Sequence, residues 1–180
     1  AVQAARAMLE EAGFAELRES QPWALSPGGK YYVTRGLTSL LAFRYPGRGF
    51  RGFSIAASHS DSPCFRVKAA PEMEVEGRYT KLNTEVYGVT TLHLWADRTL
   101  SVAGRLTVRT EGGVKTVLTD IPRALLLIPS LAIHLNREVN KGQKLDAQKD
   151  TLPLLGGREA DVLALAAEAA GVRKEDILSH

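Results

Sequence analysis

The spacing of apolar residues divides the chain into elements of different period. Val2, Ala5, Met8, Leu9 and Ala12 recur at helical spacing and predict a helix over residues 2–12, with Gly13 placed to form a left-handed C-terminal cap. After the turn residues Pro22, Pro27, Gly28 and Gly29, residues 30–34 (KYYVT) are aromatic and β-branched and predict a strand, and residues 37–45 predict a second. Residues 44–52 (RYPGRGFRG) read as a turn. Residues 53–58 (FSIAAS) are short, apolar and small, the pattern of a strand buried on both faces of a parallel or mixed sheet. His59 then falls at the C-terminal end of that strand, where ligand sites of open α/β sheets lie.

Beyond Lys68 the pattern changes. Residues 71–78 (PEMEVEGR) are polar and acidic, and strand signals follow at 84–87, 91–95 and 100–110. Residues 103–110 and 114–118 predict a hairpin joined by Glu111-Gly112-Gly113, whose glycines supply the positive φ of a tight turn. A β-rich second unit therefore begins near residue 70. Residues 160–170 set Val162, Leu165, Ala166 and Ala169 on one helical face, with Gly171 as cap and a short helix expected at 174–178.

Composition narrows the function classes. The 180 residues are 44% hydrophobic and carry a net charge of +3, enough apolar material for a buried core and too little charge for a disordered chain. One cysteine, Cys64, cannot pair within the chain, which favours a reducing compartment. The longest apolar stretch, residues 124–135, is interrupted by Pro129, Ser130 and His134, short of the roughly 20 residues of a membrane span. Residues 1–15 show no secretory pattern, so a cytoplasmic protein that engages no membrane is expected. Arg44, Arg48, Arg51, Arg66 and Lys68 read as solvated strand ends, not as a nucleic-acid surface.

The sharpest candidate for chemistry is residues 58–63 (SHSDSP). In an extended backbone Asp61 lies on the same side as His59, where its carboxylate can accept one ring N–H and leave the other nitrogen to a metal. The alternative is a loop histidine bonded to its neighbour. Cys64 reads as a buried structural thiol, and His93, in an alternating run with Thr91 and Trp95, as a packing residue. His134 interrupts an apolar stretch and by itself reads as a satisfied polar group. Asp97-Arg98 is a candidate ion pair in a turn, and Glu85 a carboxylate on a solvated strand face. No phosphate loop, zinc-finger cysteine pairs or Gly-x-Ser-x-Gly elbow is present. A catalytic zinc needs about three protein ligands, and the spacing of this chain offers one well-placed histidine.

Residues 55–68 (IAASHSDSPCFRVK) resemble the first metal-ligand segment of the aspartyl aminopeptidase family of zinc metallopeptidases. The likeness continues at 30–35 (KYYVTR), 82–88 (LNTEVYG), 95–105 (WADRTLSVAGR), 128–137 (IPSLAIHLNR) and 147–150 (AQKD), in family order along nearly the whole chain. It implies a two-zinc aminopeptidase that releases an N-terminal, often acidic, residue from peptide substrates. The implied fold is α/β, a mixed-sheet catalytic domain interrupted by a β-rich dimerisation domain with a C-terminal helix, assembled as homo-oligomers up to dodecamers. By this resemblance residues 1–69 are the N-terminal part of the catalytic domain and 70–180 the inserted dimerisation domain. His59 matches a zinc ligand, Asp61 the catalytic carboxylate that orients it, and His134 a histidine that reaches a neighbouring subunit's substrate. Val89 and Ala96 depart from the family pattern within the inserted domain. The family's other metal ligands lie downstream of His180, so the chain is expected to be inactive alone. The competing expectation is a non-catalytic assembly or dimerisation fragment.

Overall fold

A computed structural model describes all of residues 1–180, which form two compact units, Ala1–Ser62 and Pro63–His180. The first begins with helix α1, Val2–Glu11, whose chain turns at Gly13 with φ 79°. Lys30 Nζ donates to the Ala12 carbonyl at 2.8 Å, a cation at the negative end of the helix. Strand β1, Ala15–Glu16, pairs in parallel with β2, Lys30–Arg35, which pairs antiparallel with β3, Ser39–Arg44. Tyr32 on β2 is enclosed, and its hydroxyl donates to Glu10 Oε1 at 2.5 Å, tying β2 to α1.

The strand expected at residues 53–58 is absent. Residues 51–63 carry no regular structure, and Phe53 and Ile55 are 70% and 85% exposed. Both edges of β2 are occupied by β1 and β3, and no strand of the chain pairs with this segment. An apolar run without a partner for its N–H and C=O groups does not become a strand.

In the second unit β4, Cys64–Val75, pairs with β5, Tyr79–Tyr87, across an irregularity between Val67 and Glu72. Pro71 sits in that irregularity, where its missing N–H breaks no ladder bond. The change of character expected at residue 70 thus falls inside β4, and the division between compact units comes earlier, between Ser62 and Pro63. Residues Leu92–Trp95 form a 3-10 turn, so Thr91, His93 and Trp95 do not share a strand face; His93 is exposed, and Trp95 packs edge-on against Phe65 at 5.0 Å. Cys64 is also exposed, contrary to the expectation of a buried thiol.

Strand β6, Thr99–Leu100, ends before β7, Ala103–Thr110, which forms the expected hairpin with β8, Gly113–Asp120. Short strands β9, Leu126–Leu127, and β10, Leu154–Gly157, complete a five-stranded sheet of order β4-β5-β10-β9-β6. Helix α2, Val162–Ala170, is capped at its start by Asp161 and ends at Gly171 with φ 65°. Residues 174–178 do not form the expected helix: Lys174–Asp176 is one 3-10 turn, and Ile177–Ser179 is β11, which joins β7 and β8 in a second sheet of order β11-β7-β8.

Helix α2 joins the two cores. Val162 packs with Leu82, Leu126 and Leu155 of the first sheet, and Ala166 with Leu106 and Val108 of the second. The buried face is Val162, Ala166 and Ala167; Ala169, expected on it, is exposed. No helix is long and apolar enough to cross a membrane.

Candidate functional site

His59 and Asp61 stand in the irregular segment that follows β3. The segment is anchored by Ser60, whose hydroxyl donates to the Thr38 carbonyl in the β2–β3 turn at 3.3 Å. His59 Nδ1 lies 2.9 Å from the Asp61 carbonyl and 3.2 Å from Asp61 Oδ1. Both partners are acceptors, so Nδ1 carries the proton and donates. The lone pair then belongs to Nε2, the nitrogen available to an electrophile. The side chain is 81% exposed, so this nitrogen is accessible.

By themselves these residues do not make a zinc site. No group of three or more His, Cys, Asp and Glu side chains converges to hold an ion, against the three or four ligands that zinc takes. The donor chemistry of His59 suits one coordination bond and no more.

His134 belongs to the second unit. It lies exposed in a turn in which the Ala132 carbonyl accepts the N–H groups of Leu135 at 2.8 Å and Asn136 at 3.2 Å. It is therefore not the internally satisfied polar group that its apolar surroundings suggest. Leu131, Ile133 and Leu135 around it are 58%, 46% and 75% exposed, so the loop turns its apolar side chains outward. Asp97 does not pair with Arg98. Its carboxylate accepts the Ser130 N–H at 3.0 Å and the Ser130 hydroxyl, and these two bonds, the hydroxyl first, hold it below the usual carboxylate range. Sequence spacing missed this contact because 33 residues separate the partners; the signal available was an aspartate in a turn following an aromatic residue.

A cavity of about 470 Å³ in the second unit is lined mainly by apolar side chains, Phe65, Val67, Leu82 and Leu106 among them. Neither His59, Asp61 nor His134 lines it. Glu85 is exposed on β5, as expected of a solvated strand face.

Comparison with known proteins identifies the family and the fold. Residues 1–179 match the family described as aminopeptidase I zinc metalloprotease (M18). A probable M18 family aminopeptidase 2 of Clostridium acetobutylicum is 51% identical over 153 residues, covering 82% of this chain and 35% of that protein. The solved complex of Ape4 and Nbr1 superposes with a TM-score of 0.85 at 32% identity, over 99% of this chain and 39% of the other. The S. cerevisiae mApe1 dodecamer gives a TM-score of 0.73 at 26% identity, over 99% and 42%. The α/β fold, with its β-rich second unit and C-terminal helix, is thus shared with zinc metalloproteases. The chain belongs to the M18 aminopeptidase family. It spans little more than a third of the length of the curated relative from Clostridium acetobutylicum.

Proposed function

We propose that this chain is part of a two-zinc aminopeptidase that releases an N-terminal, often acidic, residue from peptides. The family match over residues 1–179 carries the reading. Residues 1–69 are assigned to the catalytic domain and 70–180 to the inserted dimerisation domain. His59 provides one metal ligand through Nε2, and Asp61 fixes the tautomer that makes Nε2 the donor. The remaining ligands belong to the part of the family that this chain does not span, so residues 1–180 alone are inactive. The exposed apolar residues Phe53 and Ile55 fit a segment that takes its place as a buried strand when that part is present.

The protein assembles as a homo-oligomer through the second unit, in keeping with the mApe1 dodecamer, and His134 meets the peptide bound by a neighbouring copy. The single exposed thiol suits a reducing, cytoplasmic setting. Metal content and peptide hydrolysis of the full-length polypeptide test the reading. His59→Ala is expected to lose zinc and activity together, and unchanged zinc with unchanged turnover would refute it. His134→Ala is expected to lower hydrolysis at constant zinc, and a loss of zinc would contradict the neighbouring-site role.

A further inference from the structure

The loop that carries His134 is held at its entry by one residue. Asp97 adopts φ 56°, the left-handed region that only glycine, asparagine and aspartate visit readily. In that conformation its N–H donates to the Ile128 carbonyl at 2.9 Å, while its carboxylate accepts from both the N–H and the hydroxyl of Ser130. Three hydrogen bonds thus fasten residues 128–130 to a single aspartate, and the ring of Pro129 fixes φ between them.

Only Leu131 separates this clasp from the turn at Ala132 that closes around His134. The apolar side chains of Leu131, Ile133 and Leu135 point outward and do not pack the loop onto its own core. Ile128, in contrast, is 3% exposed, so the loop is seated on the core at its entry and leaves it immediately after Ile128, with the clasp to Ser130 on the solvent side of that point. The direction in which His134 is presented is therefore set at the clasp.

We propose that Asp97 is a positioning residue that acts through Ser130 to orient His134 towards a second copy of the chain. The inference rests on the neighbouring-site reading of His134 given above. It assigns the 95–98 turn a role in hydrolysis without contact with substrate.

The test is a double-mutant cycle in the full-length polypeptide, reading kcat and KM for an N-terminal aspartyl peptide together with zinc content and oligomer size. Asp97→Gly removes the carboxylate without straining the backbone, and Ser130→Ala removes the hydroxyl from an exposed position. Each is expected to lower kcat/KM about tenfold or more at unchanged zinc and oligomer size, as small misplacements of a positioned group do. Asp97→Asn, which tolerates φ 56°, still accepts the Ser130 N–H through Oδ1 and can donate to the Ser130 hydroxyl oxygen through Nδ2, keeps both side-chain contacts and is expected to recover most of the activity. In a His134→Ala background neither clasp variant is expected to cause a further loss. Undiminished activity of Asp97→Gly and Ser130→Ala beside an impaired His134→Ala overturns the inference and leaves the underlying reading standing. Losses that add fully to that of His134→Ala also overturn it, because they reveal a general structural role. A fully active His134→Ala removes the underlying reading and the inference with it.

Discussion

Asp161 and Lys174 form an ion pair that closes the segment containing α2 on itself. Asp161 is the N-cap of the helix, its Oδ1 accepting the Ala164 N–H at 2.9 Å, while Oδ2 meets the Lys174 ammonium four residues beyond the helix end. Glu72 of β4 accepts the Val162 N–H at 3.0 Å, so a second carboxylate serves the same helix terminus. Both occupy the positive end of the helix, where acidic groups are favoured. The helix that joins the two cores of the second unit is therefore fixed by polar contacts at its start as well as by Val162 and Ala166.

Two substitutions separate these effects. Asp161→Ala removes cap and ion pair and is expected to destabilise the second unit by about 1 kcal/mol. Asp161→Asn keeps a capping oxygen and loses only the partly exposed pair, with an expected effect of a few tenths of a kcal/mol. Urea unfolding of the two variants beside the parent checks the ordering; equal losses would show that the charge, not the cap, matters.

The same residue predicts a pH dependence. Burial alone would raise the Asp161 pKa, but the Lys174 ammonium and the N–H groups of Ala164 and Leu163 outweigh it and leave the carboxyl below its usual value. A lowered folded-state pKa stabilises the protein above the unfolded pKa and loses that contribution as pH falls through the folded value. The stability difference between parent and Asp161→Asn is thus expected to be constant above about pH 5 and to shrink below about pH 4. Unfolding midpoints across that range measure it.

Gly171 offers a test of backbone conformation alone. It ends α2 at φ 65°, and a Cβ added there meets no atom within 4 Å. Gly171→Ala is therefore expected to destabilise by about 1 kcal/mol through left-handed strain without any clash, and Gly171→Asn by less. Thermal unfolding of both variants checks this, and an alanine variant as stable as the parent would contradict it.

The elements legible in the sequence were those whose signals are local. Gly13 and Gly171 marked helix ends because a positive φ belongs to the residue itself. Glu111-Gly112-Gly113 marked the hairpin, although of its two glycines only Gly113, the first residue of β8, takes a positive φ, 119°. The resemblance to family motifs singles out His59 and His134 by residue type, and the roles given to them are the proposal made above. What could not be read were features fixed by partners. Residues 53–58 have the composition of a buried strand, yet no strand of this chain lies beside them. Thr91–Trp95 alternates like a strand but winds into a 3-10 turn, with the Trp95 ring against Phe65 and its Nε1 donating to Thr90 Oγ1 at 2.9 Å. The Asp97–Ser130 clasp joins residues too far apart for spacing to suggest it.

In the first unit, Tyr32 links β2 to α1 through a hydroxyl that donates to Glu10 from an enclosed ring. Tyr32→Phe keeps the packing and leaves Glu10 to water, so it isolates the hydrogen bond. A lower urea midpoint is expected, with a smaller decrease for Glu10→Gln, whose amide oxygen still accepts. If Tyr32→Phe unfolds at the parent midpoint, the contact contributes nothing, and ring packing with the Lys30–Ala12 and Arg6–Glu16 contacts holds α1 to the sheet.

The last expectation concerns the His59 tautomer. With Nδ1 donating to Asp61, Nε2 is the metal-binding nitrogen of the proposed site, and removal of such an orienting partner typically weakens metal binding about 10- to 100-fold. Asp61→Ala in the full-length polypeptide is therefore expected to reduce zinc affinity within that range, measured by competition with a chromophoric chelator. Asp61→Asn retains an acceptor oxygen but no charge, and an intermediate loss is expected. The Asp61 carbonyl, 2.9 Å from Nδ1, remains in both variants and accepts the same proton. If that carbonyl suffices to hold the tautomer, both variants bind zinc as the parent does, and the carboxylate has no part in orienting His59.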